Sequence, residues 1–256
     1  MMGSLHLSHG ARHGAEGQDD LRARHCLSRR EVFRLFAGTM VVMQRGSTTR
    51  FAKTVRLPEP ATDGAFSIEA ALHARRSIRR FGREDLSLSQ ISQLLWAAQG
   101  ITDAQGFRTA PSAGALYPLE VHLVAGGVTG LAPGGYRYDA RRHALVRTFE
   151  GDRRAALRGA ALEQAFIEEA AAALVLCAVY RRTTGKYGDR GIRYVHMEAG
   201  HAAQNVYLQA VSLRLGTVVI GAFDDERVAA VLGTTGEEDP LYIMPVARRL
   251  GHEQGR

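Results

Sequence analysis

Residues 193–215 read RYVHMEAGHAAQNVYLQAVSLRL, and this stretch decides the fold. No proline interrupts it, and its one glycine is Gly200. Val195, Ala199, Ala202, Val206, Ala210 and Leu213 recur at three- and four-residue steps, which makes one apolar helical stripe. Met197, Leu208, Val211 and Leu215 mark a second apolar face. Two apolar faces predict a helix buried on most sides. The small residues Ala199, Gly200, Ala202 and Ala203 allow another helix close approach, so the stretch reads as a central core helix or the seam of a dimer. Gly216 is expected to stop it. Thr217-Val218-Val219-Ile220 then reads as a buried strand leading to Gly221, Ala222 and Phe223.

His196, Glu198, His201, Gln204 and Asn205 sit inside this apolar helix, where polar groups need partners. His196 and His201 are five positions apart and diverge by roughly 140° around the helix, so they do not form a two-histidine metal face. Two readings stay open: hydrogen-bonded core residues, or contacts to a bound ligand.

Working outward, Asp224 is placed to cap a helix to Leu232, and Leu241 to Val246 reads as the last strand. Upstream, Ala172 to Tyr180 is an apolar strand and Asp152 to Ala165 is helical. Tyr136-Arg137-Tyr138 and His143 to Val146 suggest a hairpin, and Glu120 to Ala125 another strand. Ser87 is expected to cap a helix ending at Gly100, and Ser67 one ending near Arg75. Helices and strands mix without strict alternation, which predicts α+β with a mostly antiparallel sheet flanked by helices.

The 256 residues suffice for one sizeable core plus an N-terminal extension. The net charge of +7 suggests nucleic acid until it is located. Residues 1–56 hold 10 lysines and arginines against 4 acidic residues, so the basic excess belongs to the tail. The remainder has no electrostatic case for a polyanion partner. Cys26 and Cys177 form no C-x-x-C pair, so no zinc site or disulfide framework is indicated, and Cys177 reads as a small core residue. No apolar run is long enough to span a membrane.

Residues 1–56 are expected to be a disordered tail with an export signal. Ser28-Arg29-Arg30 followed by the apolar run Leu35 to Met43 resembles a twin-arginine signal, which implies periplasmic export. A short amphipathic helix ahead of a cytoplasmic domain is the alternative. Residues 57–65 read as a linker, 66–250 as the domain and 251–256 as a second tail.

Arg75-Arg76-Ser77-Ile78-Arg79-Arg80 concentrates guanidinium groups around a hydroxyl, as a phosphate site requires, though a solvated basic turn has the same composition. Arg248-Arg249 follow the last strand and could converge with them. Pro111-Ser112-Ala113-Gly114-Ala115 would let backbone amides approach a flat ligand; a tight structural turn is the plainer reading. No phosphate loop and no G-x-G-x-x-G occurs. Lys186 is one of only two lysines, against 31 arginines, and stands beside Tyr187. Such a pair can move a proton at a substrate, or can simply be a solvated turn. Asp189 and Arg190 read as a structural pair.

Taken in order, Arg75-Arg76-Ser77-x-Arg79, Pro111 to Pro118, Lys186 to Arg190, Glu198-Ala199-Gly200-His201-x-x-Gln204-Asn205 and Leu241 to Arg249 resemble the nitroreductase superfamily. Within it they resemble the SagB-type, thiazole/oxazole-dehydrogenase branch. The resemblance implies a homodimer with FMN at its interface and NADH or NADPH as a possible electron donor. It assigns the flavin phosphate and ribityl side to Arg75, Ser77 and Arg79 with Arg248 or Arg249, and Arg76 contributing. Pro111, Ser112, Ala113, Gly114 and Ala115 would meet the isoalloxazine ring, with Gln204 and Asn205 in the same cofactor site and the Gly221 and Ala222 amides near N5 and O4. Lys186 and Tyr187 would be catalytic, acting on a small molecule or, in the azoline-oxidising branch, a peptide. A non-catalytic flavin-binding protein is a further reading. Two positions depart from the family pattern: many members carry Asn where Ala115 stands, and the branch carries Gly where Ala247 stands.

Overall fold

The computed structural model describes residues 53–234 and 236–250. The expected export segment lies outside these residues. Chain order runs β1 (Thr54–Arg56), α1 (Ile68–Ala74), β2 (Leu86–Ser87), α2 (Leu88–Gln99), β3 (Leu119–Ala125), β4 (Val128–Thr129), β5 (Gly134–Asp139), β6 (Ala144–Glu150), α3 (Arg154–Ala160), α4 (Phe166–Glu169), β7 (Ala172–Ala178), α5 (Arg181–Tyr187), α6 (Arg190–Ser212), β8 (Leu215–Thr217), α7 (Asp225–Leu232) and β9 (Asp239–Arg248).

Seven strands form one sheet in the order β1-β6-β5-β3-β7-β9-β8, and every neighbouring pair is antiparallel. β2 and β4 form a separate parallel pair. β7 is the sheet's dry centre: all seven residues are buried, and they alternate between two apolar clusters, one on each face. One face carries Leu174 and Leu176 against α2 and α6. The other carries Val175 and Cys177 with Leu157, Ile167 and Val228 of the shorter helices. Burying both faces explains the continuous apolar run at this strand.

The helices start where the sequence places caps. The Ser67 hydroxyl accepts from Ala70 N–H, Asp224 accepts from Arg227 N–H, and Ser87 and Gln90 make a reciprocal capping box. The central helix α6 buries Val195, Ala199, Ala202, Val206 and Ala210 as its stripe predicts. Its second face differs. Met197 is 50% exposed, and Ile192 near the start of the helix is exposed as well. In the single chain α6 is therefore buried on one face and open along part of another.

Several boundaries depart from the sequence reading. The sheet begins upstream of the expected domain start: Thr54, Val55 and Arg56 pair with Val146, Leu145 and Ala144 of β6, and Leu57 is buried. Three residues carry too little pattern to show a strand. Gly216 does not stop α6. The helix ends at Ser212, and Arg214 takes the left-handed conformation. Gly216 lies in β8, where an added Cβ would stand 2.8 Å from Ile78 Cγ2. Its role is close approach. The expected helix over residues 152–165 is shorter, α3 ending at Ala160, with Leu162 and Glu163 at positive φ before the separate short helix α4.

Candidate active site

The segment after α1 lies along the edge of the sheet. Ile78 N–H donates to Thr217 O at 2.9 Å, Gly82 N–H donates to Arg248 O at 2.9 Å, and Phe81 bridges Arg249 in antiparallel fashion. These backbone contacts bring the two arginine clusters together. Ser77 Oγ is 3.0 Å from the Tyr207 hydroxyl of α6, which also accepts Val219 N–H at 2.8 Å. The Arg75 guanidinium lies 5.1 Å from the Tyr207 ring centroid. Arg75, Arg79, Arg80, Arg248 and Arg249 make no ion pair among the described residues. Arg76 is used differently: its Nη1 donates to the His73 and Arg75 carbonyls, closing the end of α1.

The second group forms around the loop Pro111–Pro118. Gly114, Ala115 and Tyr117 have φ of 63°, 54° and 46°. Left-handed backbone costs a non-glycine residue on the order of 1–2 kcal/mol, so this loop needs external support. Ser112 Oγ accepts Tyr117 N–H at 2.9 Å, and the Tyr117 hydroxyl accepts Arg108 N–H at 3.3 Å. Arg182 Nη1 donates to Tyr117 O at 3.1 Å, and the Arg108 guanidinium stacks 4.5 Å from the Tyr117 ring centroid. Asn was expected to be the family's residue at position 115. The positive φ adds a backbone reason for Asn there, because Asn tolerates that region better than Ala.

Lys186 and Tyr187 close α5, so the plain-turn alternative for this pair does not describe the local backbone. Gly188, at φ 55° and ψ −148°, turns the chain into α6. Both side chains face the loop: a Cβ added at Gly114 would stand 2.8 Å from the Tyr187 hydroxyl and 3.1 Å from Lys186 Nζ. Tyr187 also meets Tyr194 edge to face, at 5.2 Å between centroids. The expected Asp189–Arg190 pair is not formed. Asp189 precedes α6, and the Arg190 guanidinium lies 5.6 Å from the Tyr194 ring centroid.

The polar residues of α6 divide between the two groups. Asn205 Nδ2 donates to Thr109 O at 3.1 Å, and Gln204 is half-buried beside it. His196 is hydrogen-bonded to Tyr180 at 2.6 Å, whereas His201 joins Pro111, Ser112, Ala113, Tyr194, Met197 and Glu198 around a cavity of about 260 Å³. The histidines therefore diverge as their spacing requires. Glu198 is 2% exposed, and its Oε1 has no hydrogen-bond partner. Burial pushes its pKa up to about 7, against the opposing pull of Ser112, Arg108 and Gln99. The sequence singled out Glu198 only as a costly buried polar residue; its place beneath the loop depends on long-range packing.

Gly221 and Ala222 follow Ile220, which exchanges two backbone hydrogen bonds with Ile243. Both are exposed, and the Ala222 carbonyl accepts Gln164 Nε2 at 3.1 Å. Away from these groups, His122, Cys177 and Glu238 bring three ligand-type atoms within 4.8 Å of one another. His122 Nε2 and Glu238 Oε2 already hydrogen-bond at 2.6 Å, so the trio reads as a buried polar contact securing the segment before β9.

One end of α6 thus carries the free arginines with Ser77, and the other carries the strained loop with Lys186 and Tyr187. From Glu198 to Tyr207 is a rise of roughly 14 Å along the helix. This chemistry can be set beside known proteins. The model of the nitroreductase family matches residues 72–248. A Methanocaldococcus jannaschii protein named "Putative nitroreductase MJ1384" is 48% identical over 183 residues, covering 72% of this chain and 91% of that one. The crystal structure of a nitroreductase-named protein from Anabaena variabilis superposes with a TM-score of 0.70 at 30% identity, covering 78% of this chain and 42% of that one. At 22% identity and a TM-score of 0.52, the NADPH:FMN oxidoreductase of Vibrio harveyi shares the fold, with 74% of this chain and 71% of that one covered. The motifs, the antiparallel sheet and these matches agree: the chain belongs to the nitroreductase family.

Proposed function

We propose that this protein is an FMN-dependent oxidoreductase that passes a hydride between a small substrate and the flavin. The observation that carries the reading is that backbone contacts at Ile78, Phe81 and Gly82 bring the segment of Arg75, Ser77 and Arg79 beside that of Arg248 and Arg249, with no acidic partner for these arginines among the described residues. A hydroxyl among unpaired guanidinium groups is the donor set a phosphate monoester requires. Gly114 supplies the second element of fit, because a Cβ there would fill the space in front of Lys186 and Tyr187.

In this reading Arg75, Ser77, Arg79, Arg248 and Arg249 hold the phosphate, while Arg76 supports the turn that presents them. The backbone of Pro111–Ala115, Gln204, Asn205 and the Gly221 and Ala222 amides would hold the isoalloxazine part of the cofactor. Bound FMN supplies the hydride-accepting centre, and NADH or NADPH serves as donor. Lys186 Nζ and the Tyr187 hydroxyl handle the proton that accompanies the hydride. The two residue groups sit on opposite ends of α6, and Ile68, Leu72, Ile192 and Met197 expose apolar surface. Both observations support a homodimer that completes each site from two chains.

The test is to purify the protein, record its visible spectrum and identify any released chromophore. Flavin absorption with FMN released supports the assignment. A colourless protein that takes up no added FMN ends it. The Lys186–Tyr187 pair favours a second version, oxidation of thiazoline or oxazoline rings in a peptide, because that reaction removes a proton as hydride leaves. Turnover of a thiazoline peptide without turnover of nitroaromatics or quinones would select it.

A further inference from the structure

Three buried polar atoms without hydrogen-bond partners gather in one place: Glu198 Oε1, Gln99 Nε2 and Arg108 Nε. They lie directly under the loop Pro111–Pro118. Arg108 Nη1 donates to Gln99 Oε1 at 2.8 Å, and both residues line a second cavity, of about 430 Å³, together with Ala115, Leu116 and Tyr117. Glu198 lines the smaller cavity on the Pro111–Ala113 side. The cluster and the loop thus share the lining of both cavities.

Ser112 couples the cluster to the loop. Its oxygen accepts Tyr117 N–H, which fixes the turn containing Gly114 and Ala115. A hydroxyl has one hydrogen to donate, and the buried Glu198 carboxyl lines the same small cavity as Ser112, where it can take that hydrogen. An ionised Glu198 accepts that bond and attracts Arg108. A neutral Glu198 is a weaker acceptor and loses the attraction. Arg108 is itself bound to the loop through the Tyr117 hydroxyl and ring. Two of the supports of a backbone held at three positive φ angles thus bear on one carboxyl group, while Arg182 on the Tyr117 carbonyl is independent of it.

We propose that Glu198 is a positioning residue whose proton sets how firmly Ser112 and Arg108 hold the Pro111–Ala115 loop, and so how that loop presents its backbone to FMN. The proposal rests on the flavin reading for its consequence but not for the latch itself. The proton change falls near neutrality, since the Glu198 pKa stands at about 7. The charged and titratable groups of the elements packed here are Arg108 ahead of the loop, Tyr117 within it, Glu120 of β3, Arg182 of α5 with Lys186 and Tyr187 across Gly114, and Tyr194 and His201 of α6 itself. His201 lines the same cavity as Glu198, so His201→Gln is the control.

The chain offers its own probe. Trp96 is the sole tryptophan, and its carbonyl accepts the Thr109 hydroxyl at 2.9 Å, just ahead of the loop. The experiment follows Trp96 emission and the infrared band of protonated carboxyl groups from pH 5 to 9. It uses the protein as purified, and again after FMN addition. Wild type and His201→Gln should show a transition near neutrality in both signals, and Glu198→Gln should show neither. FMN affinity should change with pH by about threefold or more in wild type and stay level in Glu198→Gln, because one linked proton allows up to about tenfold per pH unit. An emission transition that persists in Glu198→Gln overturns the proposal. So does a wild-type carboxyl band that vanishes in the ordinary carboxylate range, a result that needs no variant. If the transitions appear but FMN does not bind, the latch stands and the flavin reading falls. If FMN binds and no transition appears, the latch alone is refuted.

Discussion

The Ser77 hydroxyl lies 3.0 Å from the Tyr207 hydroxyl, and this contact ties the arginine segment to the central helix. The same tyrosine accepts Val219 N–H at 2.8 Å and carries the Arg75 guanidinium over its ring. One side chain thus sets where Ser77, Arg75 and the chain after β8 stand relative to one another. The arrangement explains how an exposed basic turn can be ordered without acidic partners.

Tyr207→Phe should therefore cost both stability and cofactor binding. It removes both contacts and leaves Val219 N–H unpartnered in a part-buried place. A lost partner of this kind costs about 1–3 kcal/mol, or a fall of roughly 2–4 °C in Tm per kcal/mol for a domain of this size. Thermal denaturation and FMN titration check it. An unchanged Tm would show that the hydroxyl only fills space.

The arginines separate by what they touch. Arg79→Ala and Arg249→Ala should each weaken FMN binding by about 10- to 100-fold, the usual scale for one charge-assisted contact. Riboflavin, which lacks the phosphate, should bind both variants as it binds wild type. Arg76→Ala should affect FMN less, because its guanidinium is spent on the end of α1. Equal losses for FMN and riboflavin would place these arginines away from the phosphate.

Lys186 and Tyr187 face the loop across Gly114, so their variants should separate chemistry from binding. Lys186→Met and Tyr187→Phe should lower kcat by about 100-fold or more, the range of one general acid or base. The flavin spectrum and FMN affinity should remain. Undiminished kcat in both variants, with FMN bound, would remove the pair from the mechanism.

Ala115 sits at φ 54° where the family pattern often has Asn. Ala115→Asn should raise stability by about 1 kcal/mol, because Asn reaches the left-handed region at lower cost than Ala. Urea denaturation reads the change directly. A loss of stability would mean that packing around the Ala115 methyl outweighs backbone strain.

Much of this was legible in the sequence, for reasons that differ by residue. Ser67, Ser87 and Asp224 announce their helices because capping is local chemistry. The α6 stripe announces itself because burial on one face imposes a period. β1 is three residues long and leaves no period to read. Gly216 looked like a helix stop because glycine serves helix ends and close contacts alike, and only the packing of Ile78 shows which applies. Lys186 and Tyr187 stood out by composition and family resemblance, yet their meeting with Gly114 depends on α5, whose sequence RRTTGKY carries no apolar face. The link from Glu198 to Ser112 and Arg108 joins three distant segments, and no local signal encodes it.

Burial of Glu198 makes the protein's stability fall as pH rises. Its folded pKa of about 7 lies above the ordinary value of 4.5, so between those values the native state binds more protons than the unfolded chain. Stability from this group is complete below the unfolded pKa and is lost as pH rises through about 7. The two and a half units correspond to on the order of 3 kcal/mol. Glu198→Gln keeps the shape and removes the charge, so the variant should gain on wild type by about that amount between pH 4.5 and pH 8. Urea denaturation of both proteins across that range measures the difference, and the groups common to both cancel. Parallel curves would show that Glu198 is ionised in the folded protein throughout, because a carboxyl that stays charged contributes no slope of its own.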